Sequence, residues 1–534
     1  MKRKKVTALL CLVLAMLMVL SACASKEAPK EEAKENPAEE APAETPEEVQ
    51  YSDTLKVAIS SDVSQWDIVV FPDGDDRFVW NQIYDTLVRL DKDLNIIPGL
   101  AVSWESEDNG LSWVFHLREG VKFHDGTDFN ADAVLYSYSE RSNVIQAGTL
   151  PLESMEKIDD YTVKFVCKKP VPLPTYLTHI AWPVVSPTSL DENGEFKAPI
   201  GSGPFKFVSQ TKGQEIVVER NEDYWGGAPE TEKVVFKIIP DAASRVLALR
   251  SGDVDMCLKI AESDVVSLAQ DPDIVVNRTL STFTDFIQFN TARAPFDDQK
   301  VREAVAWAVD TEAIVDNVLD GIGIAARGRA YSPCMMYCAP DEELDLYSQD
   351  LEKAKACLEE AGWIDADGNG VREKDGKELS INILVGQSWS PREIKIAQVC
   401  QSQLEQAGFK VQIDQLEGAA FSERNKSGDF DCMMRTGFFV WGPYPHHVKI
   451  HFSKNYASHF NDPEYDELIK ISEGVPDEEK PAVYRDIMQM ILHKLPAYYI
   501  VHEEKVVACR SNVKGYEISA EDPWLELRSV KVEK

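Results

Sequence analysis

LAVSWESEDNGLSWVFHLREGVKFHDGT, residues 100–127, is the most informative stretch of the chain. Within it, Trp113–Leu117 is short and rich in aromatic and branched residues, which predicts a β-strand. Thr127 and Asp128 at its end are residue types that cap helix N-termini, and Asn130–Tyr138 follows with apolar residues at helical spacing. A strand that leads into a capped helix within forty residues favours a fold that mixes both elements.

Strand-like and helix-like patterns alternate on both sides of this stretch. Apolar residues at every second position predict strands at Thr54–Ile59, Tyr161–Val166 and Lys410–Ile413. An apolar face at helical spacing predicts helices at Lys300–Val318, Leu351–Ala361 before Gly362, and Ile394–Ala407 before Gly408. Interleaving of this kind predicts an α/β fold, and no internal repeat of fixed period is present.

The N-terminus has the pattern of an export sequence. The basic run Lys2–Lys5 precedes Val6–Leu20, an uncharged apolar run that is shorter than the about 20 residues a membrane-spanning helix needs. This order is typical of a secretory signal peptide, which we assign to residues 1–22. Residues 20–23 read LSAC and resemble the bacterial lipobox, in which the cysteine is acylated after cleavage. We therefore expect a lipid on Cys23, which anchors the chain stably when more than one acyl group is attached.

The segment after Cys23 is predicted to be a tether. It runs to residue 50 and consists almost entirely of Ala, Glu, Pro and Lys, with no aromatic residue. Such a composition buries too little apolar surface to offset the entropy of ordering, so we expect disorder. The folded part is then held on the outer face of the cell membrane, outside the cytoplasm, and contains no further long apolar run.

The charge balance excludes one class of partner. The chain has 90 acidic and 56 basic residues, for a net charge of -34. Nucleic-acid binding requires clustered Lys and Arg, so we expect no nucleic-acid partner. Most of this charge is explained by solubility through self-repulsion, and we expect a monomer.

Eight of the ten cysteines remain after the signal peptide and the lipid site are set aside. Exported proteins often contain disulfides, but a chain of this size does not need them for stability. Cys334 and Cys338 are the one close pair, with Met335 and Met336 between them. A local disulfide, free thiols and a soft-metal site are all compatible with this spacing.

Patterns of enzymes and of calcium sites are absent or incomplete. The chain has no His-Glu-x-x-His, Gly-x-Ser-x-Gly or P-loop motif, and we predict that it is not an enzyme. Asp365, Asp367 and Asn369 occupy the first positions of an EF-hand-like loop, but the twelfth position is Gly376 where a bidentate Glu is required. A turn before the strand-like segment 377–385 is the simpler interpretation.

An ordered set of motifs resembles one protein family. After residues 100–127, the chain carries APIGSGPF at 198–205, RNEDYWG at 220–226, RSGDVD at 250–255, VREAV at 301–305 and KAKACLEEAGW at 353–363. This set is similar to the solute-binding proteins of peptide, oligopeptide and nickel ABC importers (family 5), over nearly the whole chain after the tether.

The resemblance implies a two-lobed α/β fold of the periplasmic-binding-protein type. A hinge joins the lobes, which close over a solute, and the first lobe is enlarged by an extra subdomain. We expect lobe I to comprise residues 51–285 and 500–534, and lobe II residues 286–499. The closed, liganded form would deliver its solute to an ABC permease and its ATPase.

Within the family, the sequence is most similar to the nickel-binding branch. The resemblance rests on residues 197–201, Tyr224-Trp225, residues 239–241 and the stretch WGPYPHH at 441–447. It implies a solute of Ni(II) with a small organic chelator, and no prosthetic group. Trp441, Tyr444 and His447 would line the pocket, and His459, which follows Ser458, would bind the metal. The branch's chelator-binding arginines have no match at residues 179–182, so Arg77 and Arg141 are assigned as substitutes.

The residues themselves leave the solute open. Four of the nine histidines, His446, His447, His451 and His459, fall in one short segment, and neutral imidazole suits Ni(II). Histidines beside proline and aromatic residues also occur in ordinary loop packing. Trp441 and Tyr444 would equally stack on the side chains of a bound peptide, so a di- or oligopeptide is the alternative solute.

Overall fold

The computed structural model describes residues 49–67, 69, 74–139, 150–386, 391–436, 445, 452, 458–475, 478–521 and 524–534. The chain divides into two units, Met1–Glu48 and Val49–Lys534, and all of the described residues belong to the second. The predicted signal peptide, Cys23 and almost all of the tether therefore lie outside the described residues. Among the residues described, no helix combines the length and apolar character needed to cross a membrane.

The first half of the chain alternates strands and short helices. In chain order they are β1 (Thr54–Ile59), α1 (Asp76–Ile83), β2 (Val88–Leu90), β3 (Ile96–Pro98), β4 (Ala101–Glu107), β5 (Ser112–Leu117), α2 (Ala131–Ser137), β6 (Leu152–Asp159), β7 (Thr162–Cys167), α3 (Leu173–Tyr176), β8 (Phe205–Thr211), β9 (Glu215–Arg220), β10 (Lys233–Ile238), α4 (Ala242–Ser251), β11 (Met256–Leu258) and α5 (Glu262–Ala269).

The second half begins with a long strand and is richer in helix. It contains β12 (Ile274–Phe289), α6 (Gln299–Ala308), α7 (Thr311–Val318), β13 (Ile324–Ala325), α8 (Leu351–Glu360), β14 (Glu373–Lys374), β15 (Lys377–Glu378), β16 (Ser380–Gly386), α9 (Pro391–Ala407), β17 (Lys410–Leu416), α10 (Gly418–Ser427), β18 (Cys432–Arg435), α11 (Pro463–Gly474), α12 (Lys480–Lys494), β19 (Ala497–Arg510), β20 (Val513–Lys514) and β21 (Lys531–Val532).

The sequence predictions hold for the strands and for most helices. The α/β class, the strands at β1, β5, β7 and β17, and the glycine-terminated helices α8 and α9 are confirmed. Two details were wrong. The N-cap of α2 is Asn130, whose side chain accepts hydrogen bonds from Asp132 N and Ala133 N, and not Thr127 or Asp128. The single helix predicted over 300–318 is two helices, because Asp310 leaves the helical conformation and caps α7 through Ala313 N.

Most of the strands belong to one mixed sheet. Within the described chain it has eleven strands in the order β17-β16-β18-β12-β19-β11-β1-β10-β9-β8, with β13 also paired to β19. A separate antiparallel sheet, β4-β5-β7-β6, lies on the N-terminal side in sequence and contains most of residues 100–117. One face of it packs on a core that includes Phe115, Phe129 and Phe165.

Two large apolar cores lie along the eleven-stranded sheet. The first core includes Leu55, Phe236 and Val507, from strands β1, β10 and β19. The second core runs from Phe286 to Val501 in sequence and includes the helices that cover β16 and β18. The long strands β12 and β19 pass from one core to the other and pair with each other along most of their length.

The ladder between these two strands is broken between the cores. Its register shifts between Leu280 and Thr284 and again between Asp285 and Phe286. Extra residues interrupt the hydrogen-bond ladder and let the strands bend. We call residues 281–285 of β12 and 500–503 of β19 the hinge segment. The lobe boundaries expected at residues 286 and 499 fall beside it and stay a prediction.

Candidate functional site

The register of the strands locates a crevice beside the hinge segment. β1 and β11 are parallel, and both end toward the middle of the β12–β19 ribbon, since Leu258 pairs with Val507. β18 runs parallel to β16 and also ends toward the middle, since Arg435 pairs with Phe286. The carboxyl ends of the two sets of strands therefore converge on the hinge segment. Ligands in open α/β sheets bind in the crevice outside such carboxyl ends.

The first wall of the crevice carries an ion pair. Lys259 follows the last residue of β11, and its Nζ lies 2.6 Å from Oδ1 of the buried Asp75. The other oxygen of Asp75 accepts hydrogen bonds from the backbone N–H groups of Ser60 and Ser61, at the carboxyl end of β1. Burial raises the pKa of the Asp75 carboxyl, but Lys259 and these hydrogen bonds outweigh burial and hold it below its usual value. The side chain of Lys259 is 43% exposed, so its ammonium faces solvent beside this anchor.

The floor of the crevice, at the hinge segment, is a charge cluster. Arg392, in the first turn of α9, donates from Nη1 to Glu262 Oε1 at 3.1 Å. Its Nε lies 3.2 Å from Asp285 Oδ2, and its Nη2 lies 2.6 Å from Glu503 Oε2. Four separate elements, α5, β12, α9 and β19, thus meet through one guanidinium.

Burial shapes the ionisation of this cluster. Asp285 is fully buried, and burial raises the pKa of its carboxyl well above the usual value, with Arg392 opposing and Glu503 adding to the rise. The neighbouring Glu393 is also buried, and burial raises its pKa although Thr436 N and Oγ1 both donate to its Oε1. The floor therefore has more carboxyl groups than cations, with burial favouring the neutral form of Asp285 and Glu393.

The second core beside β18 is aromatic and buried. Phe286 and Tyr499 stack with ring centroids 5.3 Å apart, and Phe452 contacts Tyr499 edge-on at 6.5 Å. Gln288 lies two residues further along β12, is 1% exposed, and neither atom of its side-chain amide has a hydrogen-bond partner among the described residues.

Two of the predicted site residues, Arg77 and His459, lie in the described part. Arg77 is in α1, and its charge acts on the buried His179, whose pKa burial first and then Arg77 lower to about 3. His459 immediately precedes Phe460, a residue of the second core. Its neighbour Ser458 accepts two hydrogen bonds from Thr291 at 3.0 Å.

The position of His459 is displaced from the crevice along β12. A Cβ atom on Gly428, just after α10, would lie 3.0 Å from Nε2 of His459, so the ring covers the end of that helix. Asn290, beside Thr291, is four residues beyond Phe286, which corresponds to about 13 Å along a strand. Cys23, Arg141, Trp441, Tyr444 and His447 lie outside the described residues, as do His446 and His451.

The structure shows the state of the eight cysteines in the folded unit. Cys334 and Cys338 are free thiols, as are the other six cysteines of the folded unit. They donate to the carbonyls of Ser281 and Tyr331, respectively, and burial raises both thiol pKa values to about 11.

The loop at Asp365 forms a turn, as expected: its carboxylate accepts hydrogen bonds from Gly368 N and Gly370 N. No group of three or more His, Cys, Asp or Glu side chains that could hold a metal ion is found within the described ranges.

Sequence reasoning missed Lys259, Asp75 and the cluster around Arg392. A sequence pattern could have indicated Lys259, because this residue directly follows the buried strand β11. Ser60, which binds Asp75, likewise directly follows β1. Polar residues at the carboxyl ends of parallel strands are the expected place for a ligand. No sequence motif relates residues 262, 285, 392 and 503. These four residues come together only when the chain folds.

The chain is similar to known proteins over nearly its whole length. Residues 95–459 match the model of the bacterial extracellular solute-binding proteins, family 5. The oligopeptide-binding protein AppA of Bacillus subtilis is 30% identical, with 97% of each chain covered. The nickel-binding periplasmic protein of Escherichia coli is 28% identical, with 85% of this chain and 90% of the relative covered.

Solved structures give the same result for the fold. NikA from Brucella suis in complex with Fe(III)-EDTA superposes with a TM-score of 0.82 at 25% identity, covering 90% of this chain and 100% of that one. AppA from B. subtilis in complex with a nonapeptide superposes with a TM-score of 0.75 at 27% identity, covering 91% and 100%. The two-lobed binding-protein fold expected from the sequence is confirmed by these neighbours.

Proposed function

The chain belongs to the bacterial extracellular solute-binding proteins of family 5, and from this premise we propose that it captures a di- or oligopeptide while anchored to the membrane by a lipid on Cys23. Members of the family are receptors of ABC importers and not enzymes. They bind a solute outside the cytoplasm and deliver it to a permease and its ATPase.

The charge distribution of the crevice carries the peptide proposal. Its first wall exposes the Lys259 ammonium, and its floor carries the carboxylates of Glu262 and Glu503, which are 23% and 16% exposed. A zwitterion with a carboxylate at one end and an ammonium at the other is complementary to such a pair of charges. The similarity to an oligopeptide-binding protein over 97% of both chains supports the same solute class.

A chelated nickel ion is the second candidate, in line with the resemblance to the nickel-binding branch. The observation that favours it is the TM-score of 0.82 to NikA in complex with Fe(III)-EDTA, above that to the peptide-bound AppA. On this proposal His459 binds the metal, Arg77 and Arg141 hold the chelator, and Trp441, Tyr444 and His447 line the pocket. Ser458, next to His459, is hydrogen-bonded to Thr291 beyond the end of β12 and not to the hinge segment, which favours the peptide instead.

Calorimetric titration of the mature chain, kept soluble by Cys23→Ser, decides between the two. We would titrate a pool of di- to pentapeptides, Ni(II) alone, and Ni(II) with free histidine, with His459→Ala and the matched surface variant His116→Ala. The peptide proposal expects saturable one-to-one binding of peptide that both variants leave within about twofold. Binding of chelated nickel alone, lost in His459→Ala and kept in His116→Ala, would replace it with the second candidate.

The lipid anchor and the assembly state are separate proposals. The basic run, the apolar run and LSAC at residues 20–23 support acylation of Cys23. Wild-type protein should partition into detergent after expression in its host and Cys23→Ser should stay in the aqueous phase. Light scattering of the Cys23→Ser chain should give the mass of a monomer.

The lobe boundaries are also proposed. We assign residues 51–285 and 500–534 to lobe I and 286–499 to lobe II. The supporting observation is that the second core begins at Phe286 and ends at Val501, where the β12–β19 register is broken.

A further inference from the structure

Arg392 connects parts of the molecule that belong to different cores. It sits in the first turn of α9, whose residues Ile396, Cys400 and Leu404 are buried in the second core. Glu262 is the first residue of α5, whose Leu268 packs in a cluster with Leu249 and Ala508 on the first-core side. The hydrogen bond from Arg392 to Glu262 therefore spans the two halves of the molecule, directly beside the hinge segment.

The hinge segment itself supplies the other partners of Arg392. Asp285 lies between the two register breaks of β12, and Glu503 lies on β19 two residues beyond Val501, the register partner of Asp285. Next to them, Thr284 Oγ1 and His502 Nδ1 share a hydrogen bond of 2.8 Å across the strands. The guanidinium of Arg392, which belongs to the second half, thus contacts the first half and the hinge together, and its fork geometry suits several carboxylates at once.

The burial of this cluster sets it apart from other ion pairs between the halves. The side chain of Arg392 is 13% exposed and that of Asp285 is 0% exposed. Lys169 and Glu473 also connect the small-sheet region to α11, at 3.3 Å, but they are 49% and 24% exposed. Exposed pairs contribute little because water and salt screen them, whereas a buried charge that loses its partner is strongly penalised.

We propose that Arg392 is a latch that holds the two lobes closed, a positioning residue that sets solute affinity without touching the solute. Rotation about the hinge segment would separate Arg392 from Glu262 while Asp285 and Glu503 stay near the axis. The latch then adds to the stability of the closed form only, and a solute that needs the closed form binds more tightly because of it. The inference deepens the proposed function, since closure around a solute is what the latch serves.

Glu262→Gln is the main test because it removes one carboxylate from the surface-facing side of the cluster and leaves the buried Asp285 paired. We expect the solute-free Cys23→Ser chain carrying Glu262→Gln to have a larger radius of gyration in X-ray scattering than its parent. Affinity is tested with Arg392→Lys, which keeps the charge, loses the fork and leaves in place the Glu262 carboxylate that the proposed function sets against the solute. Its dissociation constant for the solute should rise about tenfold, through a faster off-rate, while the melting temperature without solute stays the same.

Two matched controls separate a latch from a general loss of charge. Arg278→Gln breaks the pair with Glu504, which joins the same two strands on one side of the hinge. Lys169→Gln breaks the exposed pair across the lobes. Neither should change the radius of gyration or the affinity by more than about twofold.

The outcomes distinguish this inference from the proposed function. If the parent protein binds no peptide, the proposed solute is wrong, but the scattering comparison without solute still tests the latch. If Glu262→Gln matches the parent in radius of gyration and Arg392→Lys matches it in affinity for whichever solute binds, the latch is overturned. An affinity loss that comes with an equal loss of melting temperature and no change in scattering would assign Arg392 to folding alone, and would also overturn it.

Discussion

At the scale of single residues, several motif positions that led to the family are structural. Tyr224 Oη and Trp225 Nε1 donate to the buried carboxylate of Asp85 at 3.0 and 2.8 Å, and Ser202 Oγ donates at 3.1 Å. Tyr224-Trp225 is also part of the resemblance to the nickel-binding branch. Both side chains satisfy the buried carboxylate of Asp85 inside the first half of the molecule. The motif therefore has a structural role, and the pair carries no information about the solute.

The glycine at 201 in the APIGSGPF motif is required by close approach of the backbone. A Cβ atom there would lie 2.0 Å from the carbonyl oxygen of Ile83, which ends α1. Gly201→Ala should therefore lower the free energy of unfolding by about 3 kcal/mol or more, because backbone and not a flexible side chain must move. Urea denaturation of the Cys23→Ser chain measures this.

Gly418→Ala is the matched control for that substitution. Gly418 begins α10 and has nothing within 4 Å of the position of a Cβ atom, so alanine should be neutral or stabilise by up to about 1 kcal/mol. Equal effects of the two substitutions would mean that the approach of Ile83 to Gly201 is not what the motif glycine serves.

At the scale of elements, the sequence predicted what local periodicity controls and missed what tertiary contact controls. The strand at Thr54–Ile59 and the helix stop at Gly362 follow from alternation and from left-handed backbone, and both are found. The break of the predicted 300–318 helix at Asp310 was not foreseen, because the apolar face continues through it. The backbone N–H of Asp310 donates a hydrogen bond to Oε1 of Gln403 on α9. Gln403 is 93 residues away in sequence, so local periodicity cannot predict this contact.

The cap of α2 gives an element-scale prediction that separates the structure from the sequence interpretation. Asn130→Ala removes the acceptor for Asp132 N and Ala133 N and should cost about 1–2 kcal/mol of unfolding free energy. Asp128→Ala, at a position the sequence favoured, removes an exposed ion pair with Lys122 and should cost under about 1 kcal/mol. The reverse order in urea denaturation would restore Asp128 as the cap.

At the scale of the whole molecule, the family and fold class were accessible from the sequence, and the crevice was accessible only in part. The ordered motifs between residues 100 and 363 gave the family because they are dense and sequential. The cluster of residues 262, 285, 392 and 503 depends on a hinge formed by two strands more than 200 residues apart. The position of His459 beside Gly428 likewise depends on the packing of α10, and its proposed role as a metal ligand stays a prediction.

Two buried histidines, His179 and His502, and the half-buried His124 predict that the whole molecule loses stability in acid. Burial is the largest cause that lowers the pKa of His124 to about 4, that of His179 to about 3, and that of His502 well below its usual value. All three are neutral when folded, whereas the unfolded chain takes up protons below about pH 6.5. Their contribution is therefore complete above about pH 6.5 and is lost as the pH falls toward the folded values, at about 1.4 kcal/mol per pH unit for each group.

Urea denaturation at pH 7.5, 6 and 5 tests this with substitutions that keep one hydrogen bond each. His124→Gln keeps a donor toward Gly203 O, and His179→Asn keeps an acceptor for Ala181 N. Between pH 7.5 and 5 the free energy of unfolding of each variant should fall by about 2 kcal/mol less than that of the parent, because the variant lacks one imidazole that is protonated on unfolding.

The comparison with the parent cancels the opposite effect of carboxyl groups such as Asp85, whose pKa is raised by burial. Parallel curves for parent, His124→Gln and His179→Asn would mean that these imidazoles are protonated in the folded protein too.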